Sequence, residues 1–181
     1  MIDKHYFWID LEMSGLNPNI DKILEAAVVI TNKQFSSVFT FETAVFQPPK
    51  VLEEMNDWCK EHHARSGLTN RVPSGISEKE LDIKLCEIVD AFFKEGSVIL
   101  CGNSIAHDRK FIEAYLPIYT TKLHYRMLDV SSFKIIFQEI YGKRYAKRNS
   151  HRALNDINDS IEELKFYLSC INNKINWLIY E

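Results

Sequence analysis

"HYFWIDLEMSGL", residues 5–16, decides how the chain is organised. Its first half is aromatic and apolar, the composition of a buried strand. Side chains alternate along a strand, so Phe7, Ile9 and Leu11 share one face, and Trp8, Asp10 and Glu12 the other. Two carboxylates on one face stand about 7 Å apart and repel by roughly 2 kcal/mol at an effective dielectric near 20. Desolvation adds to that cost. Such a pair protonates, protrudes into water or binds a cation. Taken alone, acids at a strand end read most simply as solvated.

Working outward, "KILEAAVVITN" (22–32) and "SVFTFETAVFQ" (37–47) read as strands two and three, and "PPK" (48–50) stops the third. Short connections favour antiparallel pairing of these three. A helix is expected over 51–62. Ser77 and Glu80 form a capping box for another at about 78–95. "SVILCGN" (97–103) reads as a short buried strand, followed by a helix over about 105–116. "RMLDV" (126–130) is a further strand, with Ser131 or Ser132 placed to cap the next helix. The last helix covers about 152–170, with Leu154, Ile157, Ile161, Leu164 and Leu168 as its core stripe. This order predicts an α/β fold: a mixed five-stranded sheet, its first three strands antiparallel, flanked by helices. It matches the ribonuclease-H-like plan, with the first strand central and ligands gathered at strand ends.

The 181 residues suit one domain, with a core over about 5–170 and a C-terminal tail at 171–181. Hydrophobic residues make up 46% and charged residues 26%, a globular balance. The net charge of −3 argues against a surface that grips long nucleic acid throughout. No signal peptide or membrane span is expected. Cys59, Cys86, Cys101 and Cys170 form no CxxC pair, so free thiols in a reducing cytoplasm are expected and a zinc site is not.

Three later residues change the meaning of Asp10 and Glu12. Asp108 opens the helix after the buried strand in "CGNSIAHDRKF", and Asp156 lies on the last helix in "SHRALNDINDS". His151 precedes Asp156 by five residues, a helical turn of about 140°, so it belongs in the loop or first turn, leaning over a site that Asp156 faces. Ala153 is small enough to let the helix approach the strand. Each residue has a plainer reading: Asp108 as a first-turn acid on the helix dipole, Asp156 as a solvated acid like Asp159 and Glu162, His151 as a neighbour of the N-cap. Together, four carboxylates suit hard cations, Mg²⁺ or Mn²⁺. Two such ions about 3.5–4 Å apart act jointly on a phosphodiester. A nearby imidazole, neutral near pH 7, takes the proton from the attacking water.

"DLE", "GNSIAHD" and "HRALND" resemble the Asp-Glu-Asp-Asp-His pattern of the DEDDh 3′→5′ exonucleases. "WIDLEMSGL", "MNDWCKEHHARSGL", "CGNSIAHDRKFI" and "LHYRMLDVSSFK" resemble, in order, the motifs of the oligoribonuclease family within that group. The resemblance spans about residues 6–170. It implies Asp10, Glu12, Asp108 and Asp156 as ligands of two divalent cations and His151 as general base. It further implies Leu16 as a wedge against the bases, Trp58 and His63 in the substrate pocket, and Ser104, Arg126 and Ser131 around the 5′ phosphate. Tyr125 would reach the partner's site in a homodimer acting on short RNA, dinucleotides above all.

Without that resemblance, Leu16 reads as core, Tyr125 as ordinary strand packing, and Trp58 equally as core or pocket wall. Departures from the pattern are Asn155, His107 and Ser14, none at the five catalytic positions. The basic stretch "KRYAKRNSHR" (143–152) reads either as a solvated loop or as a local attraction for phosphates. The apolar ending "CINNKINWLIYE" packs either on the domain or in a dimer contact. Two competing functions remain open: an exonuclease for DNA or longer RNA, and a non-catalytic module on the same fold.

Overall fold

The computed structural model describes residues 5–94, 97–146 and 152–172. Among them, β1 (His5–Met13), β2 (Ile23–Asn32), β3 (Ser37–Ala44), β4 (Val98–Gly102) and β5 (Leu123–Asp129) form one sheet in the order β3-β2-β1-β4-β5. β1, β2 and β3 pair antiparallel, while β4 and β5 run parallel to β1. The expected fold class and the central place of β1 are therefore observed.

The alternation along β1 sorts the core into two layers. Phe7, Ile9 and Leu11 pack with α4 (Glu78–Phe92), α5 (Ala106–Tyr115) and α6 (Pro117–Thr120). Trp8 packs on the other face with α7 (Val130–Tyr141) and α8 (Ala153–Asn172), and its indole N–H donates to Thr31 Oγ1 at 3.0 Å. β2 lies between β1 and β3 and is buried from Ile23 to Thr31, which accounts for its nearly continuous apolar run. Asn32 accepts from the N–H groups of Gln34 and Ser36, and so closes the turn into β3.

Several boundaries differ from the sequence expectation. The helix expected over 51–62 is two, α1 (Pro49–Glu54) and α2 (Asp57–Arg65). The break falls at Asn56, which is extended and accepts from the Cys59 N–H at 2.9 Å. An N-cap inside the stretch outweighs its helical pattern. α3 (Leu68–Arg71) and α6 were not foreseen, being single turns without periodicity. β5 starts at Leu123, three residues before the expected start. Its following helix is capped by Asp129, not by Ser131 or Ser132: Asp129 accepts the Ser131 N–H at 2.9 Å. The Ser77–Glu80 capping box is present. On α8, Ile157, Ile161 and Leu164 are buried as expected, joined by Tyr167, while Leu154 and Leu168 are partly exposed. Asp159, read as solvated, is only 9% exposed.

Candidate active site

Asp10 and Glu12 occupy the C-terminal half of β1, where β2 sets Ala27 opposite Asp10 and Glu25 opposite Glu12. Ala153 on α8 is fully buried against the layer that holds Trp8 and Ala27. These small residues let α8 descend onto the sheet and deliver Asp156 from its first turn. One carboxylate oxygen from each of Asp10, Glu12 and Asp156 lies within 4.8 Å of the other two. Opposed ligands on one Mg²⁺ span about 4.2 Å, so small side-chain rotations let the three share an ion. Oxygen-only donors suit that class of cation.

Asp108 is not one of these three. It is buried at the start of α5, and its Oδ1 accepts the Leu11 N–H at 3.0 Å. β4 pairs with β1 only at Phe7 and Trp8. The Leu11 amide therefore lies past the parallel ladder, and Asp108 satisfies it. Burial pushes the Asp108 carboxyl up from its ordinary range, against two backbone hydrogen bonds that pull it down. Glu12 is pushed up to about 7, first by burial and then by the charges of Asp156, Glu25 and Asp108, with Arg152 opposing. A donor set that raises its own proton affinity in this way is one that a cation would relieve. His151 lies outside the described residues.

Beside Glu12 opens a cleft of about 540 Å³, lined among others by Met13, Leu16, Trp58 and His63. Leu16 is 78% and Trp58 59% exposed, so neither is core. The Leu16 loop is held by Asp21, which accepts from Ser14 Oγ at 3.1 Å and the Asn17 N–H at 2.9 Å. A Cβ on Gly15 would stand 2.5 Å from that carboxylate, so a side chain there would displace Asp21 from the loop. Asn56 starts α2 and thereby sets Trp58 at the cleft, where its ring stacks on His62 at 3.8 Å. His63 is buried, with Nε2 donating to the Met13 carbonyl at 2.9 Å. A carbonyl only accepts, so the hydrogen sits on Nε2. Burial lowers the pKa of this imidazole.

Of the remaining expected residues, Ser104 and Ser131 meet just past the ends of β4 and β5, while Tyr125 and Arg126 lie mid-strand on β5. Ser104 takes a left-handed backbone (φ 56°), and its N–H donates to Asp129 Oδ1 at 2.9 Å. Ser131 donates to the same oxygen through Oγ at 2.6 Å. Asp129 thus joins Ser104 and Ser131, a link the sequence reading missed. Arg126 and Tyr125 are exposed on β5, with the guanidinium 5.3 Å from the Tyr125 ring.

The sequence reading also missed an ionic chain next to the cluster. Glu25, fully buried, pairs with Arg71 at the end of α3; Arg71 approaches Glu42 at 3.8 Å, and Arg152 bonds Glu42 at 2.9 Å. An acid inside the otherwise apolar "ILEAAVVI" (23–30) was the available signal. Arg152, counted with the basic stretch, is thus engaged inside the fold.

The exonuclease family of the RNase T type matches residues 7–164. An oligoribonuclease from Haemophilus ducreyi is 40% identical over 173 residues, covering 92% of this chain and 94% of that protein. One from Francisella tularensis subsp. tularensis is 45% identical over 163 residues, 88% of this chain and 92% of that one. Among solved structures, E. coli Exonuclease I in complex with a dT13 oligonucleotide superposes with a TM-score of 0.66 at 11% identity, covering 97% of this chain and 43% of its own. A full-length 3′-exonuclease gives 0.64 at 18%, covering 94% and 62%. The chain therefore spans less than two thirds of these structures, and their likeness is one of fold. With the family matched over most of its length and oligoribonucleases related over nine-tenths of it, the chain belongs to the exonuclease family and is a nuclease.

Proposed function

We propose that this chain is a single-domain 3′→5′ exoribonuclease that degrades short RNA oligonucleotides, dinucleotides above all, to 5′-mononucleotides. The observation that carries this reading is Glu12, which belongs to the Asp10–Glu12–Asp156 cluster and also lines the cleft of Leu16 and Trp58. Kinship with oligoribonucleases at 40–45% identity supports the choice of RNA.

In this reading Asp10, Glu12, Asp108 and Asp156 hold two divalent cations, Mg²⁺ or Mn²⁺. When bound, such ions lower the pKa of water and stabilise the departing oxygen. His151 accepts the proton of the attacking water. Leu16 wedges against the bases and Trp58 walls the cleft, which desolvates the 3′ end. The Nε2–H···O=C bond of His63 fixes its ring in the wall of the cleft. Ser104, Arg126 and Ser131 receive the 5′ phosphate, and that cap limits substrate length.

Tyr125 would reach the site of a second copy. Tyr125 and Met127 on β5 and Ile136, Ile140 and Tyr141 on α7 are all more than a third exposed, apolar side chains that a homodimer contact would cover. Among the described residues no helix is long and apolar enough to cross a membrane. The cysteines are unpaired, which suits a cytoplasmic enzyme.

The test compares hydrolysis, per 3′ end, of a 5′-phosphorylated RNA dinucleotide with that of an RNA of about 20 nucleotides, with Mg²⁺ and with chelator. Faster cleavage of the dinucleotide, abolished by chelator, is expected. Faster cleavage of the longer strand, or of single-stranded DNA, would favour the general exonuclease instead.

A further inference from the structure

We propose that the Arg152–Glu42 ion pair positions the start of α8, and through it the catalytic edge of the site. Arg152 lies next to His151 in sequence and four residues before Asp156. Its carbonyl accepts the Asp156 N–H at 2.9 Å, so wherever Arg152 is held, the first turn of α8 follows. Its guanidinium is fastened at 2.9 Å to Glu42 on β3, an edge strand two positions from β1. Glu42 in turn faces Arg71, and Arg71 pairs with the fully buried Glu25, the register partner of Glu12. The chain of charges therefore closes a loop: from Glu12 across the sheet to Glu25, out through Arg71 and Glu42, and back through Arg152 to Asp156.

The geometry favours this role over phosphate binding. An arginine presenting itself to substrate keeps its fork towards the cleft, whereas this guanidinium bonds a carboxylate on β3, two strands from β1. The pair is partly buried, with side-chain exposures of 35% for Arg152 and 25% for Glu42, so it is screened less than a surface pair. Misplacing a reacting group by about 1 Å costs on the order of a hundredfold in rate. A tether on the residue between His151 and the rest of α8 acts on that scale. Neither residue touches substrate in this account; both are positioning residues.

The proposal rests on the Asp10–Glu12–Asp156 cluster being the active site, and its test separates the two. Glu42→Gln, Arg152→Gln, Arg152→Lys and the double variant Glu42→Gln/Arg152→Gln are assayed on a 5′-phosphorylated RNA dinucleotide, with melting temperatures measured alongside. Each Gln variant is expected to lose about tenfold or more in kcat with KM within about twofold, and the double variant to be no worse than either alone. Arg152→Lys, keeping the charge, is expected to recover part of kcat. Because both side chains reach solvent, melting temperatures should stay within about 4 °C of wild type. A raised KM in Arg152→Gln with an unaffected Glu42→Gln would overturn the proposal in favour of phosphate contact. Losses that multiply in the double variant, an unchanged kcat, or losses that only follow melting temperature would also overturn it. A wild-type chain without turnover would remove the active-site reading on which the proposal stands.

Discussion

Glu12 and Glu25 face each other across the β1–β2 ladder, yet their surroundings differ in kind. Glu25 is met by Arg71, whose guanidinium offsets its charge inside the fold. Glu12 stands against Asp10 and Asp156, and burial first, then the charges of Asp156, Glu25 and Asp108, drive its carboxyl up to about 7. The lesson is that a buried acid matched by arginine belongs to the scaffold, while acids gathered against one another belong to a site completed from outside. Removing a member of either set therefore has opposite consequences for stability and activity.

The largest effect is expected at the gathered acids. Asp156→Asn should lower kcat by about a thousandfold or more, a loss near 4 kcal/mol of transition-state stabilisation. The metal-free variant should be at least as stable as wild type, because one repelling charge is gone. Retained turnover would place the chemistry elsewhere. Arg71→Ala should do the reverse in kind, costing about 3 kcal/mol in urea unfolding because it strands the Glu25 charge. A neutral result would mean that Glu25 is satisfied without Arg71.

Smaller is the effect expected of Leu16→Ala, a loss of roughly 1–2 kcal/mol in dinucleotide binding with the melting temperature unchanged. A drop in melting temperature instead would return Leu16 to a packing role. The subtlest is a pH effect. Glu12 holds its proton to about pH 7 in the folded metal-free chain, against an ordinary 4.5. The folded state thus binds the extra proton between those values, so this group's contribution to stability is full below pH 4.5 and is lost as pH rises through 7. Mg²⁺ takes the deprotonated form, so the rise in melting temperature that it produces should grow from about pH 5 to about pH 8. A shift independent of pH would detach Glu12 from the metal.

How much of this was legible in the sequence depended on whether the signal was local. Alternation in "FWIDLE" gave both faces of β1, because a strand's period is a property of the strand alone. The Ser77–Glu80 box likewise reads within one turn. The break at Asn56 was hidden, since the flanking residues suit a helix and only the cap separates α1 from α2. Asp129 was overlooked as a cap because two serines, Ser131 and Ser132, follow it just past Val130 and are cap formers too. The Glu25–Arg71–Glu42–Arg152 chain joins residues as much as 127 positions apart, counting from Glu25 to Arg152, and no spacing rule reaches that far. Trp58 stood equally between core and pocket in the sequence, and its exposure at the rim of a cleft rules out the core.

The most direct test of the central claim is anomalous scattering from crystals soaked in Mn²⁺. The account predicts two peaks about 3.5–4 Å apart among Asp10, Glu12, Asp108 and Asp156, and none at Glu25, whose charge Arg71 already meets. Crystals with no manganese between Asp10, Glu12 and Asp156, or with an ion seated at Glu25, would contradict it.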